Sequence, residues 1–206
     1  MTGMSVTERI DMSSRDKILG QIRQNKPDEV ALPTVTTFVS HFENTEDKFR
    51  EMLGLIYTEV IVVKNLEELA AKAEELYAGV VNRATTIPAL SAWADFSLNV
   101  SDPHELETIE IAIVQAEFGV AENGAVWISD QYLPHRVLPF ITQNLAFVIP
   151  RNALVDNMHE AYVRLQDTLG WGCFIAGPSK TADIEQSLVI GAHGARSMVI
   201  FLLEGE

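Results

Sequence analysis

Short runs of apolar residues alternate along this chain with longer stretches in which apolar residues recur every three or four positions. The runs are typical of buried strands, and we predict strands at residues 60–63, 108–116, 125–129, 145–149, 173–176 and 198–203. The longer stretches predict helices at residues 13–25, 45–57, 65–77, 153–169 and 181–190. Strands that alternate with helices indicate an α/β fold, with a mainly parallel sheet flanked by helices.

The N-terminal part of the chain differs from the rest. Residues 1–43 contain one short amphipathic helix and an extended stretch with Pro27 and Pro33, so we interpret them as an arm. Residues 44–206 contain all the predicted strands, and we predict that they form the α/β domain. Its core is predicted to include Leu154, Leu165, Val189 and Ile200.

The most distinctive stretch covers residues 170–203. An apolar run, a Gly-Pro turn, a helical stripe, two glycines and a final apolar run follow one another there. We interpret it as a strand–helix–strand unit with polar side chains gathered at one mouth: Ser179, Lys180, Thr181, Asp183, Glu185, His193 and Arg196. Ligands in open α/β sheets bind at the carboxyl ends of strands, where loops lead into helices. A hydroxyl cap followed by acidic residues also describes an ordinary helix start, so both interpretations stay open.

Two common motifs are incomplete in this sequence. Gly172 and Gly177 have the spacing of a phosphate-binding P-loop, but Pro178 stands where that loop needs its lysine. His159 begins a zinc-protease motif, His-Glu-x-x-His, whose second histidine is replaced by Val163. We therefore expect no P-loop and no metal site, and the sequence identifies no cofactor.

The net charge and the cysteine content of the chain argue against several classes of function. The 206 residues carry a formal net charge of −14, so nucleic acid and anionic membrane surfaces would repel the chain. No apolar stretch has the length of a membrane span or the pattern of a signal peptide, and we expect a cytoplasmic location. The one cysteine, Cys173, cannot hold an iron–sulfur cluster, which needs about four thiolates.

Residues 177–185 read GPSKTADIE and residues 191–196 read GAHGAR. Together with the final apolar run, these stretches resemble the terminal signature of the LUD-domain family, in particular its LutC/YkgG group of lactate-utilisation proteins. Residues 117–125 resemble its central turn, although Asn123 and Ala125 depart from the usual residues. The resemblance implies the NagB/RpiA/CoA transferase-like fold.

The same resemblance implies a role in bacterial oxidation of L-lactate to pyruvate, together with cysteine-rich iron–sulfur proteins. This chain has no recognised flavin or nicotinamide motif, and hydride chemistry at carbon generally needs such a carrier. We therefore expect a subunit that acts beside partner proteins. The helical stripe of Ile18, Leu19 and Ile22 is a candidate docking element.

An alternative is a stand-alone enzyme or binder of small anionic molecules, similar to CoA transferases or sugar-phosphate isomerases. Class I CoA transferases carry a Ser-Glu-Asn-Gly turn with a nucleophilic glutamate, and Glu122 stands in a similar Ala-Glu-Asn-Gly turn. The same residues also describe an ordinary Asn-Gly turn with no catalytic role. A structural or regulatory domain is a second alternative function.

The candidate site combines residues from both stretches. The candidate catalytic residues are Glu122, Asp183 and His193, and the candidate ligand-binding residues are Asn123, Gly177, Ser179, Lys180, Thr181, Glu185 and Arg196. A helix start favours an anion, whereas Asp183 and Glu185 oppose one. We predict that Asp183 and His193 share one pocket, with Glu122 at its rim.

Overall fold

The structure is a computed structural model that describes residues 13–31, 41–165, 170–181 and 189–205. The chain divides into two compact units, Met1–Phe38 and Val39–Glu206. In the first unit, helix α1 spans Ser14–Gln24, as the sequence predicted. The Ser13 hydroxyl caps this helix by accepting a hydrogen bond from the Asp16 backbone N–H at 3.2 Å.

The second unit contains strands and helices in alternation over much of its length. Its elements in chain order are α2 (Thr45–Leu55), β1 (Thr58–Val63), α3 (Leu66–Leu76), β2 (Arg83–Thr85), β3 (Ile111–Gln115), β4 (Phe118–Val120), β5 (Ala125–Ser129), α4 (Leu138–Ile141), β6 (Asn144–Pro150), β7 (Leu154–Val155), α5 (Met158–Arg164), β8 (Gly172–Ile175), β9 (Lys180–Thr181), β10 (Val189–Ile190) and β11 (Ser197–Leu203). Asn44 and Asn65 cap α2 and α3 with their side-chain oxygens.

The main sheet is parallel throughout. Five of the described strands lie in the order β1-β11-β6-β3-β2, and every neighbouring pair runs in the same direction. The predicted α/β class with a mainly parallel sheet flanked by helices is therefore confirmed.

Alternate residues of the central strands point into two separate apolar layers. On β6, Phe147 packs in the layer that contains Phe49 of α2, whereas Val148 packs in the layer that contains Leu69 of α3. Successive side chains of a strand point to opposite faces, so α2 and α3 cover opposite faces of the sheet. The predicted core residue Ile200 on β11 is fully buried.

A second sheet lies beside the first and is mainly antiparallel. Its strand order is β7-β4-β5-β8, with β4 and β8 both antiparallel to β5 and with β7 parallel to β4. Phe118, Trp127 and Val155 form a small apolar cluster of their own. The predicted strands at 125–129 and 173–176 both belong to this second sheet.

The predicted C-terminal strand–helix–strand unit is wrong in two respects. Its two strands, β8 and β11, lie in different sheets. The predicted helix also does not extend through residue 190, because β10 pairs antiparallel with β9. Residues 182–188 lie outside the described residues. Val189 is exposed, so its predicted place in the core is wrong.

The predicted long helix at 153–169 is wrong at its start. Leu154 and Val155 form β7, which pairs with β4, and α5 starts only after Asn157. The Asn157 side chain caps α5 by accepting from the Glu160 backbone N–H at 3.0 Å. Leu154 and Leu165 are only partly buried, and residues 166–169 lie outside the described residues. Helical spacing of apolar residues was present here, but pairing with a distant strand decided the local structure.

Candidate functional site

A cleft of about 330 Å³ gathers part of the predicted site. Four predicted residues line it, namely Gly177, Ser179, Lys180 and His193, and its apolar walls include Phe140, Leu145, Phe174, Ile175 and Met198. Ile175 ends β8, whereas Leu145 and Met198 stand near the starts of β6 and β11. The cleft therefore lies at the carboxyl end of β8, the strand after which the sequence places the polar side chains, and at the amino ends of two main-sheet strands.

Backbone hydrogen bonds hold the two signature segments together around this cleft. The Ser179 N–H donates to the Ala195 carbonyl at 2.9 Å, and the Gly191 N–H donates to the Ser179 carbonyl at 2.9 Å. The Arg196 N–H donates to the Gln143 carbonyl at 2.8 Å, which ties the second segment to the loop before β6. Ser179 and His193 are thus placed by main-chain contacts that fix both loops.

Gly177 shapes the floor of the turn that enters the cleft. Its φ is +72°, a left-handed backbone conformation that residues other than glycine rarely adopt. A Cβ at this position would lie 2.8 Å from the Ile56 carbonyl oxygen and 2.9 Å from the Lys180 ammonium. The absence of a side chain lets the turn approach the end of α2 and leaves room for Lys180.

Lys180 provides the positive charge of the cleft. Its side chain is half-buried, and burial lowers the pKa of its ammonium. The ammonium lies 3.5 Å from the Ala176 carbonyl oxygen, and no carboxylate within the described residues pairs with it. A bound anion would offset the cost of burying this charge.

The remaining predicted residues of the C-terminal signature do not line the cleft or are not described. Asp183 and Glu185 lie outside the described residues, so the structure does not test whether Asp183 shares a pocket with His193. Thr181 belongs to β9, and Arg196 is exposed and follows the cleft residue Ala195.

The predicted Glu122 turn has a structural role. Glu122 is exposed, and its Oε2 accepts a hydrogen bond from the Met158 backbone N–H at 2.9 Å. Asn123 closes the turn by accepting from the Ala125 N–H at 3.0 Å. Neither residue lines the cleft. The two segments nevertheless approach each other, because a Cβ at Gly124 or at Gly177 would lie within 3.3 Å of the Ile56 Cδ1 atom.

Cys173 is a half-buried thiol on β8. Burial raises its pKa to about 11. A thiol rather than a reactive thiolate is therefore present at neutral pH.

Sequence reasoning missed two adjoining clefts at the carboxyl ends of main-sheet strands. They measure about 480 and 610 Å³ and share Thr85, Thr86 and Pro88, with Gln115 lining the larger one. The Thr86 hydroxyl accepts from the Gln115 backbone N–H at 2.9 Å, which joins the ends of β2 and β3. A three-residue strand such as β2 has too short a pattern to be predicted.

Sequence reasoning also missed a cluster of His41, Asp156 and Glu160. One potential ligand atom of each residue lies within 4.8 Å of the others. His41 was not distinguishable from an ordinary surface histidine, because its neighbours in space are 115 and more residues away. The i,i+4 spacing of Asp156 and Glu160 is the only local signal, and it is common on helices.

A model of a known protein family matches half of the chain. A family model described as LUD domain matches residues 101–203. This segment includes the Glu122 turn and the residues of the 330 Å³ cleft, but not His41.

Several curated proteins are similar in sequence. A lactate utilization protein C of Shouchella clausii is 34% identical over 118 residues, which cover 53% of this chain and 50% of that protein. One of Geobacillus kaustophilus is 26% identical over 174 residues, covering 70% of this chain and 72% of that protein. An uncharacterized protein YkgG of Escherichia coli is 27% identical, covering 48% and 46%. This chain spans about half the length of several such relatives.

One solved structure shares the fold. A DUF162 family protein from Deinococcus radiodurans superposes with a TM-score of 0.54 at 12% identity, covering 77% of this chain and 96% of that one. At this identity the likeness concerns the fold alone. The more specific likeness to the NagB/RpiA/CoA transferase-like fold stays a prediction.

Proposed function

We propose that this chain, which belongs to the LUD-domain family, serves bacterial lactate utilisation as a subunit of a system that oxidises L-lactate to pyruvate. The observation that carries the proposal is its similarity to several proteins named lactate utilization protein C, from different bacterial genera. The matched family segment contains all the cleft residues that were predicted from sequence.

The proposed subunit works with cysteine-rich iron–sulfur proteins that carry the electrons. Oxidation of lactate releases two electrons, and this chain has a single cysteine, whereas a cluster needs about four. The candidate docking element on α1 presents Ile18 and Ile22, which are 57% and 60% exposed. A cytoplasmic location is part of this proposal. None of the helices in the described part of the chain has both the length and the apolar character that a membrane crossing requires.

The proposed ligand of the cleft is a small carboxylate. A volume of about 330 Å³ falls at the lower end of the roughly 300–1,000 Å³ range of small-molecule sites, which suits a short acid. In this proposal the Lys180 ammonium pairs with the carboxylate, and the Ser179 hydroxyl and His193 imidazole donate to its oxygens. Phe174 and Met198 provide the apolar wall that a methyl group would contact.

Growth and binding test this proposal separately. We expect that deleting the gene slows growth on L-lactate but not on pyruvate, and that affinity purification from lactate-grown cells recovers a cysteine-rich partner. Normal growth of the deletion strain on L-lactate, with no such partner recovered, would overturn the role in lactate utilisation.

The Lys180→Met variant tests the cleft. We expect L-lactate or pyruvate to raise the melting temperature of the wild-type chain, since ligand at 100 times its Kd stabilises by about 2.7 kcal/mol. Lys180→Met should weaken this binding at least about tenfold, because losing a charge-assisted hydrogen bond costs roughly 1.5–3 kcal/mol. Lys72→Met on α3 removes an exposed lysine outside the cleft and is the control. Equal binding by both variants would show that the cleft is not the site.

A further inference from the structure

The cluster of His41, Asp156 and Glu160 has the composition of a metal site. Asp156 is 7% exposed and precedes α5, Glu160 lies in the first turn of α5, and His41 reaches them from the segment before α2. The His41 Nδ1 atom lies 3.2 Å from the Asp156 Oδ2 atom. We propose that these three side chains bind one divalent transition-metal ion of the Zn²⁺ type.

The spacing of the donor atoms fits a shared ion. Ligand nitrogens and oxygens lie about 2.0–2.2 Å from Zn²⁺, so two neighbouring ligands at tetrahedral angles are roughly 3.3–3.6 Å apart. The separation of 3.2 Å between His41 and Asp156 is close to this value. All three donor atoms lie within 4.8 Å of one another. Small rotations of the three side chains bring their donor atoms around one ion. The His41 side chain is 69% exposed, so its rotation meets little resistance.

Supporting hydrogen bonds hold both carboxylates in place. Asp156 accepts from the Thr45 hydroxyl and, at 3.3 Å, from the Phe42 backbone N–H. Glu160 accepts from the Asp156 backbone N–H at 3.1 Å and from the Asn157 amide at 3.4 Å. Carboxylates that bind metals in proteins are in turn hydrogen-bonded in this way, which orients their free lone pairs.

The charges at this location favour a cation. Asp156 and Glu160 place two carboxyl groups within 4.8 Å of each other and of the His41 imidazole. Neither Asp156 nor Glu160 pairs with a lysine or arginine in the described ranges. A divalent ion would neutralise both carboxylates.

The ligand set selects the class of ion. One imidazole nitrogen with carboxylate oxygens suits Zn²⁺ and related transition metals, whereas Mg²⁺ and Ca²⁺ prefer oxygen ligands alone. Three protein ligands leave a coordination position for water on the exposed side of His41. The ion would join the segment before α2 to the start of α5.

Calorimetric titration of the chelator-treated full chain with Zn²⁺ tests the site. We expect one saturable Zn²⁺ site per chain and weaker binding of Mg²⁺. His41→Ala should weaken Zn²⁺ binding by at least the roughly 10-fold to 100-fold that even supporting groups contribute at metal sites. The control is His104→Ala, because His104 is also exposed and also pairs with an aspartate, Asp102, at 2.8 Å, but belongs to no three-ligand cluster of the described residues.

A second variant and a spectroscopic readout keep the test independent of folding. Glu160→Gln should lose Zn²⁺ affinity while circular dichroism shows an unchanged fold, since the amide oxygen can still accept from the Asp156 N–H. Co²⁺ bound to the wild type should show visible absorption bands that change in His41→Ala and not in His104→Ala. Absence of saturable Zn²⁺ binding, or equal binding by wild type and His41→Ala, would overturn the proposal.

Discussion

At the scale of single residues, the shape of the cleft depends on a glycine, Gly177, which has no side chain. Gly177 and Gly79 have nearly the same backbone conformation, with φ of +72° and +77°. A Cβ at Gly177 would lie 2.8 Å from the Ile56 carbonyl oxygen, whereas one at Gly79 would meet no atom within 4 Å. The pair therefore separates the cost of the conformation from the cost of the contact.

We predict that Gly177→Ala destabilises the protein more than Gly79→Ala does. Both substitutions carry the cost of a left-handed alanine, about 1–2 kcal/mol. Gly177→Ala adds the cost of overpacking against Ile56, typically 1–3 kcal/mol. Urea unfolding of both variants measures the difference. Equal losses of unfolding free energy would show that the turn moves away from Ile56 without cost.

At the scale of elements, an ion-pair network joins α2 to the ends of two main-sheet strands. Glu46 on α2 accepts from Arg50 at 2.9 Å and from Arg151, just after β6, at 2.6 Å. Arg151 also pairs with Glu204, which follows β11. Burial raises the pKa of Glu46, but the hydrogen bonds and charges of Arg151 and Arg50 lower it overall, below the ordinary value of 4.5.

This lowered pKa predicts an acid-sensitive contribution to stability. A carboxyl whose pKa is lower in the folded state stabilises the fold above its unfolded pKa, and this stability is lost as the pH falls through the folded pKa. We expect Glu46→Gln to lose about 1 kcal/mol at pH 7 and to show a smaller further loss than the wild type between pH 5 and pH 3.

Urea unfolding as a function of pH measures this effect. Glu51→Gln on the same helix is the matched control, since Glu51 is 59% exposed and pairs only with Lys48 among the described residues. That variant should follow the wild-type pH profile. A Glu46→Gln profile parallel to the wild type would mean that the network does not couple to folding.

At the scale of the whole second unit, the long interior strands β6 and β11 differ in burial from the short β9–β10 pair. β6 and β11 have parallel neighbours on both sides and apolar layers on both faces. The β9–β10 pair is two residues long, and Val189 and Ile190 are exposed. Local opening is governed by burial and by the number of hydrogen bonds that must break together.

We predict that amide hydrogen exchange reflects this difference. The amides of residues 145–149 and 198–202 should exchange slowest, at rates set by global unfolding, and those of residues 189–190 should exchange at least about ten times faster. Mass spectrometry of deuterium uptake measures both regions in one sample. Similar protection of the two regions would contradict a hierarchy of stability.

The sequence by itself determined several of the local elements and the family. Asn65 and Glu68 mark the start of α3, the apolar run at 145–149 falls within β6, and the run at 198–203 falls within β11. These signals are local, because a helix cap or a buried apolar run depends only on residues that are close together in the sequence. The signature at 177–196 also identified Gly177, Ser179, Lys180 and His193, which line one cleft.

Only the tertiary structure decided which strands pair and which side chains meet. An apolar run shows that a strand is buried but not which partner its hydrogen bonds reach, so β8 and β11 were predicted in one sheet and lie in two. Leu154 and Val155 begin a stretch whose apolar residues have helical spacing, but they form a strand that pairs with β4. The meeting of His41 with Asp156 spans 115 residues. Contacts at such separations form only when the whole chain has folded, which is why no local pattern predicts them.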